Sequence, residues 1–416
     1  MIELAIIGGG PAGMSAAISA YESGIKDIII FERDTELGGI LRQCIHNGFG
    51  LHKLKKELTG PEYASVYAKK VKELEIPVML DTMVLDISSD KTITATNKKD
   101  GIFKIQAKAI ILAMGCRERP RGALNIAGHR PSGIFSAGTA QKYVNMKGYM
   151  PGKDVVILGS GDIGLIMARR MTLEGARVHA VCEVMPYSSG LARNIEQCLN
   201  DFDIPLLLSH TVIKIHGQDR LTGVTIAKVD QARQPISGSE KYIPCDTLLL
   251  SVGLVPENEL SKKAGVNISP VTNGAEVDEN RQTTVDGIFS CGNVLHVHDL
   301  VDYVSDEGEI AGKSAARYIK GEINKNRDVM VKAHKGVRYT VPQKITELSD
   351  EQSTELYFRV SNVYKNVNVV IRDKEGNELL SKKKQVLLPG GMEHVAISGK
   401  MLTNTDEISI GLEEIL

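Results

Sequence analysis

Tryptophan is absent from this chain, and aromatic residues make up only 5% of it. That scarcity leaves little to stack on nucleic-acid bases. An excess of either charge is missing too: 50 Lys and Arg stand against 51 Asp and Glu, a net charge of -1. Such a balance gives no reason to expect nucleic acid or an anionic membrane surface as a partner. No apolar run approaches the ~20 residues that cross a bilayer, so no membrane span is expected. No basic stretch precedes the first apolar segment, so no secretory leader is expected. The six cysteines, Cys44, Cys116, Cys182, Cys198, Cys245 and Cys291, form neither a CxxC pair nor a zinc spacing. A reduced, cytoplasmic protein is the simple reading.

The 416 residues exceed what one core accommodates, so several domains are expected. The first apolar strand, Glu3 to Ile7, runs into GGGPAG, Gly8 to Gly13. A helical stretch, Met14 to Glu22, follows, and then a strand, Asp27 to Phe31, that ends at Glu32. Gly8 permits the tight turn, Gly10 lets the backbone approach a pyrophosphate, and Gly13 lets helix and strand pack closely. The helix N-terminus, opened by Pro11 and Ala12, offers free N–H groups and a favourable dipole to an anion. Glu32 can accept hydrogen bonds from a ribose diol.

The whole arrangement recurs. Strand Val155 to Leu158 leads into GSGDIG, Gly159 to Gly164, and a helical stretch from Leu165 to Glu174. Strand Arg177 to Cys182 then ends at Glu183. Gly159, Gly161 and Gly164 repeat the three glycine roles, with Asp162 and Ile163 opening the helix. The third glycine stands 19 residues before the acid in both copies, Gly13 to Glu32 and Gly164 to Glu183. One such motif is weak; two in register imply two dinucleotide sites. Glu73 to Ile87 parallels Asp201 to Ile215, and Ala109 to Gly115 parallels Thr247 to Gly253. Glu183 repels a 2′-phosphate and no Arg follows closely, which favours NADH over NADPH on the second copy. A third signal is strand Ile288 to Cys291, closed by Gly292 and Asn293 and followed by a helical stretch from Asp306 to Ile319.

These residues resemble the FAD- and NADH-binding flavoprotein reductases, the group that includes the pyridine nucleotide-disulfide oxidoreductases. The resemblance covers residues 1 to about 325. It implies an α/β fold of two Rossmann-like dinucleotide-binding domains with a small C-terminal β domain. The implied domains are 1–118 with 270–328 for FAD, 119–269 for NAD(H), and 329–416, whose alternating strands read as a β-sandwich. It places FAD on Gly8, Gly10, Gly13, Glu32, Arg33 and Gly39, with Val84 near the adenine, Ala113 and Gly115 at the strand end, and Gly292 and Asn293 at the ribityl chain. Gly253 is the second copy's counterpart of Gly115. Two departures stand out: Asn293 replaces the usual Asp, and Met114 the usual Thr.

A narrower likeness lies in AMGCRERPR (Ala113 to Arg121) with GIFSAGTAQKYV (Gly133 to Val144). It resembles the FAD/NAD subunits of opine oxidase, hydrogen cyanide synthase, dye-linked proline dehydrogenase and the oxidoreductases associated with glycerol-3-phosphate dehydrogenase. That implies a partner flavoprotein or small redox subunit, NADH as reductant or product, and an oligomer. RERPR itself reads equally as a docking surface for phosphate or acid and as a solvated crossover.

The family's redox disulfide occupies one of two positions. Here those positions hold Leu41 and His46, or Gly138 and Gln141. Cys44 falls between the first two. It has a redox reading, through a low-pKa thiolate assisted by Arg42 and His46, and a packing reading. The packing reading is preferred, because most such cysteines behave as small hydrophobes. His46 reads as an acid or base, or as a hydrogen-bonding loop residue, with the second preferred. His296, His298, Asp299 and Asp302 invite a metal assignment, but H-x-H without further spacing is weak, so no metal is assigned. This loop is instead expected to open the helix whose N-terminus faces the flavin pyrimidine. Two rival functions remain: a self-contained reductase of peroxide, oxygen or a small disulfide using Cys44, and a cofactor-binding structural subunit without activity.

Overall fold

The computed structural model describes residues 1–347, 349 and 353–414. The chain divides into two compact units, one of residues 1–116 with 256–416 and one of residues 117–255.

In the first unit, β1 (Ile2–Ile7) leads to α1 (Pro11–Glu22) and β2 (Ile28–Phe31). Helix α2 (Gly60–Glu73) and the long β3 (Gly101–Leu112) follow. β1 pairs in parallel with β2 on one side and with the end of β3 on the other. Residues 78–79 add an edge strand to β2, and Ile288–Ser290 pairs with the end of β3. The first half of β3 instead closes an antiparallel meander with Met83–Ile87 and Thr92–Asn97. β1 reads as an unbroken apolar run because both its faces are covered. Leu4 and Ile6 enter one core, with Ala16 of α1, while Ala5 and Ile7 enter the other. Each large apolar side chain among them, fully buried, contributes ~1.5–3 kcal/mol.

The second unit repeats the plan. β4 (Asp154–Leu158) leads to α3 (Asp162–Leu173) and β5 (Arg177–Glu183), and β6 (Thr247–Leu250) closes the unit. The parallel order is Ile134–Ser136, β6, β4, β5, Leu206–Leu208. The segments matched in sequence, Ala109 to Gly115 and Thr247 to Gly253, thus hold equivalent places beside β1 and β4. Val155 and Ile157 face one core, Val156 and Leu158 the other.

The chain returns to the first unit at 256, ahead of the expected 270. Asn258 explains the difference: its Nδ2 donates to Asn273 O at 2.8 Å and to Val294 O at 2.7 Å, and Ala264 and Val266 share a core with Ile288. After β7 (Ile288–Ser290) comes α4 (Val301–Ile319), which starts before the expected Asp306. Its N-cap, Leu300, makes no side-chain cap, so no polar residue announces the start. α4 lies close on α1. A Cβ on Gly308 would stand 2.3 Å from Ala12 O, and one on Gly312 2.2 Å from Ala16 O.

The described residues between 329 and 414 form two sheets around a core of their own. One runs Lys344–Ile345, Val329–Ala333, Glu407–Glu414, Tyr364–Asp373, Glu378–Leu387; the other is Val337–Val341, Ser353–Val360, Glu393–Ser398. Phe358, Ile371, Ile397 and Ile410 meet between them.

Candidate functional site: two dinucleotide cradles

The first cradle is built where β1 stops. Gly8 takes φ +108°, a turn that L side chains rarely adopt, and a Cβ there would stand 2.4 Å from Ala113 O. Gly10 caps α1 in extended conformation, with Pro11 opening the helix, so α1 begins before the expected Met14. A Cβ on Gly13 would lie 1.9 Å from Gly8 O, so only glycine lets the helix start there. Above Gly10 the backbone is open: apart from its own chain neighbours, no atom of the described residues lies within 4 Å of the place a Cβ would take. That opening at a helix N-terminus fits a pyrophosphate. Gly39 lies close beside Gly10, its own Cβ position 3.2 Å from Gly10 Cα. Glu32, buried at the end of β2, accepts the Gly9 N–H at 2.7 Å through Oε2 and the Asp34 N–H at 2.8 Å through Oε1.

The second cradle matches it closely. Gly159 takes φ +99°, and a Cβ on Gly164 would lie 2.7 Å from Gly159 O. Glu183 Oε2 accepts the Ser160 N–H at 3.0 Å and its hydroxyl at 2.6 Å, while Oε1 accepts the Met185 N–H at 2.9 Å. Gly161 caps α3. Asp162 Oδ1 accepts from Leu191 N–H at 2.8 Å and Asn194 Nδ2 at 2.6 Å, pinning the loop after β5. Ile163 follows it in the first turn and packs against this unit's core.

The ends of β3 and β6 also correspond. Gly115 O accepts the Glu257 N–H, and Gly253 O accepts the Arg119 N–H, both at 3.0 Å. Ala113 N–H donates to Ile7 O at 2.9 Å. Val84 is buried in the meander, and Arg33 is exposed beyond Glu32. Arg121 donates to Ile126 O at 3.0 Å and His129 O at 3.3 Å, so one arginine of RERPR braces its own crossover.

Gly292 takes φ +74° and sits against α1, its Cβ position 2.8 Å from Ala12 Cβ. Asn293 Oδ1 accepts the His298 N–H at 3.0 Å, and its Nδ2 meets Cys116 Sγ at 3.7 Å. The closing loop therefore lies over the start of α1, beside the first cradle.

Glu307 of α4 holds this loop, a role that sequence reasoning missed. Its Oε2 accepts Gly292 N–H at 2.8 Å and His298 Nε2 at 3.0 Å. Its Oε1 accepts Arg281 Nε at 2.9 Å and His296 Nε2 at 3.0 Å. His296, His298 and Glu307 each place a ligand atom within 4.8 Å of one another, the spacing a metal would need. Asp299 and Asp302 stand outside this cluster. Asp299 pairs with Arg359, and Asp302 Oδ2 accepts His52 N–H at 3.1 Å. The cluster fits a metal poorly. Arg281 already neutralises Glu307, and a divalent ion would add buried, unbalanced charge. Burial pushes His296 from 6.5 down to about 4, against the pull of Glu307, so it is neutral at pH 7. Burial alone would raise the Glu307 carboxyl, but the hydrogen bonds donated by the His296 and His298 rings help to outweigh it, and the carboxyl lies well below the carboxylate range.

Cys44 ends the turn Gly39–Gln43, with its Sγ 3.4 Å from Ile40 O. Its carbonyl accepts Gly60 N–H at 2.8 Å, at the start of α2. Burial pushes the thiol up to about 12. Arg42 turns to Glu36 at 2.6 Å, and the His46 ring packs on Phe49 at 4.9 Å.

The pyridine nucleotide-disulphide oxidoreductase family matches residues 2–308. The chain belongs to that family. Its members are FAD-dependent NAD(P)H oxidoreductases, so FAD and NAD(P)H are its cofactors. The chain is similar to hydrogen cyanide synthase subunit HcnB of Pseudomonas protegens, 28% identical over 63% of this chain and 58% of that one. It is also similar to one of the subunits of opine oxidase from Agrobacterium tumefaciens, 24% identical over 76% of this chain and 64% of that one. The match thus spans less than two thirds of either relative. In fold it is similar to T. acidophilum thioredoxin reductase, with a TM-score of 0.63, 24% identity, and coverage of 76% of this chain and 97% of that structure. Among the described residues no helix is long and apolar enough to cross a membrane.

Proposed function

We propose that this chain exchanges a hydride between NADH and FAD and passes electrons to or from a partner redox subunit of a dehydrogenase complex. The partner's substrate class is an amine, an amino acid or glycerol 3-phosphate. The observation that carries the reading is two matched cradles without a dithiol at either family position. Leu41 is buried in the core, the His46 ring packs at a tilt on Phe49, and Gly138 and Gln141 lie in the helix Ala137–Lys142. Cys44 sits near the first cradle with a raised pKa, the wrong state for a thiolate nucleophile. Two of the relatives are named as subunits, which supports a partner.

FAD, when bound, supplies the electron chemistry, and the chain orients and shields it. The first cradle takes its pyrophosphate, and Glu32, held by Gly9 and Asp34, keeps lone pairs for a ribose diol. The second takes the nicotinamide dinucleotide, and Glu183 places a negative charge where a 2′-phosphate would sit, which supports NADH. Anaerobic titration with NADH tests the reading. Complete flavin bleaching at one NADH per flavin is expected. Uptake of a second NADH per flavin would reveal another two-electron centre and overturn it.

A further inference from the structure

We propose that the C-terminal β domain is a working part of the flavin site, with Arg359 as a positioning residue. Through Asp299 it fixes the segment joining Gly292–Asn293 to α4. The inference rests on the first cradle being the FAD site.

The segment from 292 to 300 is held at both ends, by different parts of the chain. Its inner end belongs to the dinucleotide fold, where Gly292 donates to Glu307 and Asn293 accepts from His298. Its outer end belongs to the C-terminal domain. Arg359, on the strand Ser353–Val360, donates through Nη2 to Val297 O at 3.0 Å and to Asp299 Oδ1 at 2.5 Å. Met392 N–H takes the other oxygen, Asp299 Oδ2, at 2.6 Å. Both oxygens of Asp299 are therefore engaged by the C-terminal domain. Tyr357, two residues before Arg359, covers the middle, its ring 5.8 Å from His296 and 6.2 Å from His298.

A domain that merely capped the fold would need only apolar contact here. These contacts are polar and aimed at the backbone and at one carboxylate. The side chains of Arg359 and Asp299 are 13% and 17% exposed, so the pair is largely shielded from water. A guanidinium forks between a carbonyl and a carboxylate with a rigidity that lysine lacks. Position matters as well. Asp299 stands immediately before Leu300, the cap of α4, and the first turns of α4 lie on the start of α1. With Arg359 in place the Asp299 charge is balanced. Without it, the Asp299 carboxylate keeps only the Met392 N–H, and its charge is left unbalanced at the outer end of the segment.

Charge balance gives the test a sign. Arg359→Met leaves a negative charge and disfavours added electrons, so the midpoint potential of bound FAD falls. Asp299→Asn leaves Arg359 unbalanced, so the potential rises. Both loosen the loop, and FAD dissociation constants rise by roughly tenfold, the equivalent of one lost hydrogen bond to a charged group. The double variant restores charge balance, so its potential returns toward wild type while affinity stays weak. The measurements are spectroelectrochemical titration and FAD fluorescence quenching on the full-length protein, with circular dichroism to confirm folding. If both single variants keep wild-type affinity and potential and lose only thermal stability, the domain is a passive cap and the inference is wrong. If the wild-type chain binds no FAD, the cradle reading itself fails and the inference falls with it.

Discussion

Arg281 and Glu307 form a buried ion pair, with Nε to Oε1 at 2.9 Å and side chains 2% and 1% exposed. The pair joins the segment before β7 to α4, and the same carboxylate holds Gly292. Removing one partner strands the other charge in a low-dielectric interior. Glu307→Gln should cost about 3–5 kcal/mol in chemical denaturation of the apoprotein. A cost below about 1 kcal/mol would mean that water or another group compensates Arg281.

His296 should give acid sensitivity a particular form. Its folded pKa, lowered by burial to about 4, lies below the unfolded value of 6.5. The neutral form belongs to the folded state, so its contribution is complete above pH 6.5 and is lost as pH falls toward 4. The loss approaches about 3 kcal/mol. The stability difference between wild type and His296→Asn should shrink across that window. A difference that stays constant from pH 7 to pH 4 would refute the assignment.

The first cradle predicts opposite outcomes for two glycines three positions apart. Gly13→Ala puts a methyl group against Gly8 O and should unseat α1, lowering the melting temperature. Gly10→Ala meets open space, so the apoprotein should melt normally while FAD binds at least ~10-fold more weakly. Thermal scans with and without FAD separate the two.

Cys44 should be an inert thiol. With its pKa pushed up to about 12, it should alkylate slowly at pH 8 compared with a solvent-exposed cysteine. Cys44→Ser should leave the NADH stoichiometry at one per flavin. Loss of turnover in that variant would restore a redox role.

Glu183 should govern the choice of nicotinamide dinucleotide. Glu183→Gln removes the charge and keeps one acceptor, its amide oxygen, for either Ser160 or Met185. The ratio of kcat/KM for NADH over NADPH should fall by roughly tenfold, since the repulsion of a 2′-phosphate is lost while the acceptor change bears on both cofactors alike. An unchanged ratio would place the discrimination elsewhere.

Both cradles were legible in the sequence because they are local. Turn, helix start and acid lie within one strand–helix–strand unit, so spacing alone carries them. The start of α4 was not legible, since Leu300 caps without a polar side chain and leaves no mark. Glu307 was hidden for a different reason. A glutamate inside a helix looks like a solvated residue until Arg281, His296, His298 and Gly292 converge on it, and that convergence depends on tertiary packing. The histidines of H-x-H were noticed, but their partner was sought among Asp299 and Asp302, the nearer acids. The boundary at 256 depended on the amide of Asn258 reaching Val294, a contact with no sequence signature.

The split of the first unit has a consequence for how the protein is born. The chain enters the second unit at 117 and leaves it at 255, with much of the first unit still to be made. Domains tend to fold as units while synthesis proceeds. The second cradle can close from one continuous stretch as soon as β6 emerges. The first waits for Gly292, Glu307 and α4, far downstream of its own glycines. Birth order thus reverses sequence order: the second cradle is finished first, and the first is completed only once α4 has left the ribosome.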